Sequence, residues 1–315
     1  MEPGIGLIRS PISASRAPDL TIRDGVDGLG AGAAVAGNAT FVDEVGIEYG
    51  IYGAYRLRSA FQPIFRREGA WLVPFAVEGL LAPSVRGKLV PPLDFFDTVP
   101  QRDKLLVESL SRMLHLRNHH NIGVDGLELF FNFDPLINCD LEASLREIRF
   151  TADQLTAIGL DPQMLVCEVT EAQALEDGVL VALIEEMRGY GILIAIDDFG
   201  AGYSTVDRFA LIRPDVVKID GGWFRGLQGH ARTARLFPPV VAGFHDLGAT
   251  VLVEGIETAG DLRAALDAGA DCLQGFYLAQ PALVGTIVDP TPKPIDALLS
   301  EENKVVPLRR NHQLR

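Results

Sequence analysis

The chain has 315 residues, 48% of them hydrophobic, and carries 28 Lys and Arg against 42 Asp and Glu, a formal net charge of −14. That is enough apolar material for one large domain or two modest ones. The acidity excludes a binder of duplex nucleic acid, which neutralises phosphates with a basic face, but leaves room for a small phosphate ligand held through cations.

Residues 1–45 include "DGVDGLGAGAAVAGNAT", rich in Gly and Ala and poor in bulky apolar side chains, and are read as a flexible tail. The opening "MEPGIGLIRS" lacks the basic and apolar regions of a signal peptide. Residues 46–288 are read as one domain in which short β-branched or aromatic runs alternate with amphipathic stretches. The strand candidates are "AFQPIF", "LVPFAVEGL", "LELFFNF", "MLVCEVTE", "ILIAIDDFG", "VVKID", "TVLVEGIE" and "CLQGFYL". Most are separated by helix-like segments: "DKLLVESLSRMLHLR", "EASLREIRFTADQLTAIG", "DGVLVALIEEMRGYG", "STVDRFALIR", "ARTARLFPPVVAGFHDLG" and "AGDLRAALDAGA". Apolar residues there recur at steps of three and four, and several segments stop at glycine. Residues 289–315 are read as a second tail, with a short helix open to "IDALLSEEN".

Repeated β-then-α order with near-continuously apolar strands implies a parallel sheet covered on its outside. Eight strand candidates favour a closed TIM-like (β/α)8 barrel over an open sheet, and no G-x-G-x-x-G motif supports a dinucleotide-binding domain. No run reaches the ~18 apolar residues needed to span a bilayer. Cys139, Cys167 and Cys272 are odd in number and have no metal-like spacing. A cytoplasmic protein with reduced thiols and no membrane contact is expected.

Nearly every apolar run ends in a carboxylate, an amide or a lysine: Glu78, Asn132, Glu168, Asp197 with Asp198, Lys218, Glu254 and Gln274. Any one of them alone is equally well explained as a helix cap or turn residue. As a set they fall at equivalent positions of successive units, and strand C-termini of a barrel converge on one mouth, where active sites sit. Carboxylates packed that closely cannot all stay ionised without compensation. Hard oxygen donors with an amide and no Cys or His suit Mg²⁺ or Mn²⁺. The paired aspartates suit the shared edge of a two-metal site, in which cations ~3.5–4 Å apart clamp a phosphate and orient a water. His119 and His120 could suggest a metal, but read better as cationic residues at a helix C-terminus. Trp223 and Phe224 read as packing residues, with stacking on a base as the alternative.

These residues make the chain resemble the EAL domain family, the bacterial phosphodiesterases of cyclic di-GMP. The motifs that carry the resemblance are "FQPIF", "CEVTEA", "AIDDFGAGYS", "VVKID", "VEGIET" and "LQGFYLAQP", in the family's order from Phe61 to Pro281. The resemblance implies metal-dependent hydrolysis of cyclic di-GMP to the linear dinucleotide, with two Mg²⁺ or Mn²⁺ ions. It assigns Glu78, Asn132, Glu168 and Asp197 to one metal, and Asp197, Asp198 and the nearby Glu254 to the second. Lys218 would contact the attacking water or the metal edge, and Gln274 would hydrogen-bond near that water. Glu254 is a candidate general base, Glu171 resembles the glutamate that steadies the loop "DFGAGYS", and Gln62, Leu80, Asp220 and Glu257 resemble the substrate-facing set. A homodimer pairing near the loop after Asp198 is implied as well.

The sequence departs from the family at two places. Gly79 stands where the namesake motif has alanine, a change expected to alter only local stiffness. Ala82 stands where an arginine usually reaches a substrate phosphate, and loss of such a contact weakens binding by about 1.5–3 kcal/mol. Arg86 would compensate only if "LAPSVRGK" folds back, and "GGWF" after Asp220 lacks a basic residue common there. Two readings therefore stand, an active phosphodiesterase and a non-catalytic receptor or interaction module on the same barrel. An enzyme for another cyclic dinucleotide is a minor third.

Overall fold

The structure is a computed structural model that describes residues 39–134, 141–169, 176–201 and 206–300, with backbone alone at 206–208. Among the described residues thirteen strands follow one another: β1 (Thr40–Val42), β2 (Glu48–Tyr52), β3 (Tyr55–Glu68), β4 (Trp71–Val85), β5 (Lys88–Leu89), β6 (Glu128–Phe133), β7 (Leu165–Val169), β8 (Leu193–Phe199), β9 (Val216–Ile219), β10 (Thr250–Val253), β11 (Cys272–Leu273), β12 (Ala282–Leu283) and β13 (Lys293–Pro294). Eight of them close a barrel in the order β3-β4-β6-β7-β8-β9-β10-β11, with β11 pairing back onto β3. Helices such as Gln101–Asn118, Leu141–Ile158, Asp177–Gly189 and Ala259–Asp267 cover the outside. The fold is the TIM-like barrel expected from the sequence, and among the described residues no helix is long and apolar enough to cross a membrane.

Neighbours from β4 to β11 are parallel, as expected, but β3 runs antiparallel to both β4 and β11. A parallel crossover needs a dozen or more residues. Only Gly69 and Ala70 separate β3 from β4, so a hairpin is the only connection the chain allows, and Gly69 turns it with φ +60°. The two strands run past the barrel as a long ribbon. Leu57, Leu81, Phe95, Leu110 and Met113 form a small core there, separate from the main one.

Three helix assignments differ from the sequence expectation, one of them the short helix Pro92–Thr98, which is unassigned from sequence. "ARTARLFPPVVAGFHDLG" is split into Ala231–Ala234 and Phe237–Asp246, because prolines suit only the first turn of a helix. "GGWF", unassigned from sequence, opens the helix Gly221–Gln228, in which the Asp220 carboxylate accepts from the Trp223 N–H at 2.6 Å and offsets two poor helix formers. Trp223 and Phe224 serve as packing residues: Phe224 is fully buried against Phe237, and Trp223 meets Phe199 edge-on. Burial lowers the pKa of His119, which disfavours the cationic form expected of it; it lies in the single turn His119–Ile122 after the long helix.

Ordered structure also extends past both ends of the 46–288 domain read from sequence. Residues 39–45 form β1 and its turn, and the Asn118 side-chain amide holds Glu48 at the start of β2 through both backbone groups, at 2.9 and 2.8 Å. At the other end, β13 pairs with β4, and the helix Ile295–Ser300 docks through buried Ile295 and a bond from the Tyr277 hydroxyl to the Leu298 carbonyl. The rest of both proposed tails lies outside the described residues.

Asn118 is fully buried. Asn118→Leu should lower unfolding free energy by roughly 2–4 kcal/mol, since it strips a donor and an acceptor of their partners. Chemical denaturation measures this, and a loss under 1 kcal/mol would mean that water replaces the amide.

Candidate functional site

The barrel interior is built in layers. Ile64, Ala76, Phe130, Val166, Ala195, Val216, Leu252 and Cys272, one from each barrel strand, form a buried apolar layer. Side chains in a strand return to the same face every second residue. Two positions toward the mouth therefore come Gln62, Glu78, Asn132, Glu168, Asp197, Lys218, Glu254 and Gln274. Apart from Asn132, which is exposed, the strand-end polar residues are one ring, lying on an apolar floor.

Lys218 is the hub of that ring. Its ammonium lies 2.5 Å from Glu168, 2.8 Å from Glu254, 3.0 Å from Asp197 and 3.6 Å from Glu78. Burial opposes its charge, but Asp197, Glu168, Glu254 and Glu78 together outweigh burial and hold its pKa well above the ordinary lysine value. One cation does not neutralise four carboxylates. Burial pushes Glu168 well above the carboxylate range, helped by Glu78 and Asp197 and opposed by Lys218. Burial likewise raises Glu254 to about 8, and burial with the charge of Asp197 raises Asp198 to about 6.

Adjacent residues of a regular strand face opposite ways, yet both aspartates reach the mouth. The β8–β9 register shifts between Ile196 and Phe199, and Asp198 takes a left-handed φ of +53°. This bulge re-aims one side chain. One carboxylate oxygen from each of Asp197, Asp198 and Glu254 lies within 4.8 Å of the others. Glu168 Oε2 and Gln274 Oε1 are buried without a hydrogen-bond partner among the described residues. Excess carboxylate charge, oxygen donors in reach of one another and unpartnered inward oxygens fit a divalent cation.

The segment after Glu254 is held tightly. Gly255 turns with φ +62° and its carbonyl accepts from Arg225 at 2.5 Å. Thr258 and Asp261 form a capping box, and Asp261 also takes the Glu257 N–H at 3.1 Å. Gly275 is required where it stands, since a Cβ there would overlap the Ile256 backbone.

The mouth opens into a cavity of about 230 Å³ lined by Gln62, Glu78, Leu80, Asp197, Asp198, Lys218, Asp220, Glu254, Glu257 and Gln274. Gln274 donates to Glu78 at 2.7 Å and Gln62 to the Ala279 carbonyl at 3.2 Å. Glu257 lies 3.4 Å from Arg225, and Asp220 also caps its helix. Glu168 sits beneath this cavity, fully buried. Asn132 is in register with Glu168 but exposed, and lines a second cavity of about 330 Å³ with Ser111, Arg112 and His115; Leu80 borders both. Glu171 lies outside the described residues. Sequence reasoning passed over Gly221, Gly255, Gly275 and Phe276, which also line the mouth; glycines directly after strand-end polar residues were the available signal.

Ala82 shares the strand face of Glu78 and Leu80 but lies farther along β4. It is fully buried, opposite Arg58 across β3, and lines neither cavity. Arg86 and Gly87, both with positive φ, form the tight turn between β4 and β5. "LAPSVRGK" does fold back, but Arg86 lies eight residues beyond Glu78, about 26 Å along the ribbon at ~3.3 Å per residue. It does not replace an arginine at the mouth.

The EAL domain model matches residues 53–281. The chain belongs to the EAL domain family. A probable cyclic di-GMP phosphodiesterase of Escherichia coli, PdeA, is 26% identical over 226 residues, which cover 70% of this chain and 30% of that protein. Bacillus subtilis YkuI, solved with substrate cyclic di-GMP and calcium, superposes with a TM-score of 0.63 at 26% identity over 74% of this chain and 57% of that one. Klebsiella pneumoniae BlrP1 in its manganese and cyclic di-GMP complex gives 0.66 at 26% identity over 76% and 59%. The chain spans about half or less of the length of the curated relatives it matches.

A divalent cation at the mouth requires Glu254 and Asp198 deprotonated. Its binding should therefore release protons at pH 7, and its affinity should rise as pH goes from 6 to 8 and level off above. Calorimetry of Mg²⁺ binding in buffers of different ionisation enthalpy reads the proton count. Equal affinity at pH 6 and pH 8 would contradict the charge balance described.

Proposed function

We propose that this EAL domain hydrolyses one phosphodiester bond of cyclic di-GMP, giving the linear dinucleotide, with two Mg²⁺ or Mn²⁺ ions. The observation that carries the proposal is the convergence of Asp197, Asp198 and Glu254 beside a lysine already shared among four carboxylates. Bound divalent cations would supply Lewis acidity toward the phosphate and the water. Glu78, Asn132, Glu168 and Asp197 would hold one, and Asp197, Asp198 and Glu254 the other. Glu171 would steady the loop after Asp198.

The residues of the chain divide the remaining work. Lys218 keeps its proton and serves as a fixed positive charge near the attacking water, while Gln274 orients that water from the end of β11, two strands away. The water oxygen bonds to phosphorus as the bond from phosphorus to the 3′-oxygen breaks. A Glu254 carboxylate oxygen takes the water's proton, and the leaving 3′-oxygen gains one from solvent. Gln62, Leu80, Asp220 and Glu257 line the cavity from which the nucleotide would enter. The second cavity, adjoining at Leu80, gives room for the far half of a two-base ligand.

A receptor on the same barrel is the second reading. It is favoured by the mouth's lack of a guanidinium at position 82, where the buried Ala82 offers no phosphate contact. A homodimer in solution is part of the proposal; light scattering should return twice the chain mass, and a monomer would remove that element.

Purified protein incubated with cyclic di-GMP and Mg²⁺ or Mn²⁺ should yield linear dinucleotide by chromatography. Asp197→Asn should cut turnover by more than the roughly 10–100-fold typical of losing an outer-shell partner. Binding without product would favour the receptor, and near-wild-type turnover in Asp197→Asn would overturn the two-metal account.

A further inference from the structure

We infer that Gly79 and His115 are a matched pair, in which the His115 ring fixes the path of β4 and so positions the Glu78 carboxylate at the mouth. The inference rests on the proposed cation site. It concerns a residue on the covering helix Gln101–Asn118 that touches none of the reacting groups.

His115 is buried, and both of its ring nitrogens are engaged. Nδ1 is 2.9 Å from the Ser59 hydroxyl of β3, and Nε2 is 3.1 Å from the Ser111 hydroxyl one helical turn earlier. Burial first, and then the charge of Arg112, lowers its pKa to about 3, so the ring is neutral at ordinary pH. One nitrogen then donates and the other accepts, and serine hydroxyls serve either role. Phe61 of β3 meets the ring edge-on, with centroids 6.2 Å apart. Strand and helix therefore clamp the imidazole from two sides.

The remaining side is Gly79. A Cβ there would lie 2.8 Å from His115 Cγ, 3.0 Å from Cδ2 and 3.1 Å from Cβ. Two of these atoms are at the root of the side chain, and rotating the ring does not carry Cβ away. A methyl at 79 must move β4 or the helix. The residue displaced with β4 is Glu78, which accepts from Gln274 at 2.7 Å and lies 3.6 Å from the Lys218 ammonium. Gly79 is thus more than a softer version of alanine, the role expected from sequence. It is the space that His115 occupies.

Mn²⁺ affinity, measured by calorimetry at a temperature where circular dichroism shows each variant folded, tests the pair. Gly79→Ala should weaken binding by about 10-fold or more, and adding His115→Ala should restore most of it, the scale being that of an outer-shell partner. Unchanged affinity in folded Gly79→Ala, or a double variant no better than the single, would overturn the inference. Should Gly79→Ala not fold, His115→Ala alone decides. Weakened binding with the fold intact supports positioning by the ring, and wild-type affinity makes the histidine a packing residue only. A wild type that binds no Mn²⁺ would instead sink the cation site itself, and this inference with it.

Discussion

The ammonium of Lys218, enclosed by four carboxylates above an apolar floor, is the interaction on which the site depends. Each acid comes from a different strand, and each is buried or nearly so. Without a central cation their mutual repulsion and desolvation would act together at the point where the strands converge. The lysine supplies one charge and leaves the ring short of positive charge by several units. That deficit expresses itself as raised carboxyl pKa values at Glu168, Glu254 and Asp198 or, on the proposed function, as divalent cations. The same imbalance thus shapes stability and chemistry.

The second constraint is the short connection between β3 and β4. Two residues cannot carry a crossover, so the first barrel strand enters antiparallel. Its register places Gln62 opposite Glu78, an amide beside a carboxylate on the site face. Because the ribbon continues past the barrel, the covering helix that packs on it also meets the strand just after Glu78. The contact between His115 and Gly79 is a product of this geometry. So is the burial of Ala82, which lies farther along the ribbon with Arg58 across from it.

Much of the site was legible in the sequence because a barrel imposes a simple rule. Every second residue of a strand points into the barrel, and the strand C-termini converge on one mouth, so polar residues at equivalent strand ends come together there. Glu78, Asp197, Lys218, Glu254 and Gln274 follow that rule, three of the acids gathering on Lys218 and Gln274 bonding to Glu78. Asn132 obeys the register but not the cavity, since it stands at the exposed rim, where the ring opens toward the adjoining pocket. Neighbouring aspartates on one strand should have pointed apart. Only the bulge at Asp198, a local backbone event with no signature in the pattern of apolar residues, brings them together.

The sequence by itself determined the alternation of strands and helices, the closed barrel and the identity of the polar ring, because side-chain period and strand order are local properties. Tertiary structure alone decided which residues share the mouth and which sit below or beside it. It also decided that β3 is reversed, that Ala82 is enclosed and that Gly79 is filled by an imidazole 36 positions later. Those outcomes depend on packing between segments distant in the chain, where a gap of one methyl group settles what fits, and no run of neighbouring residues encodes that distance.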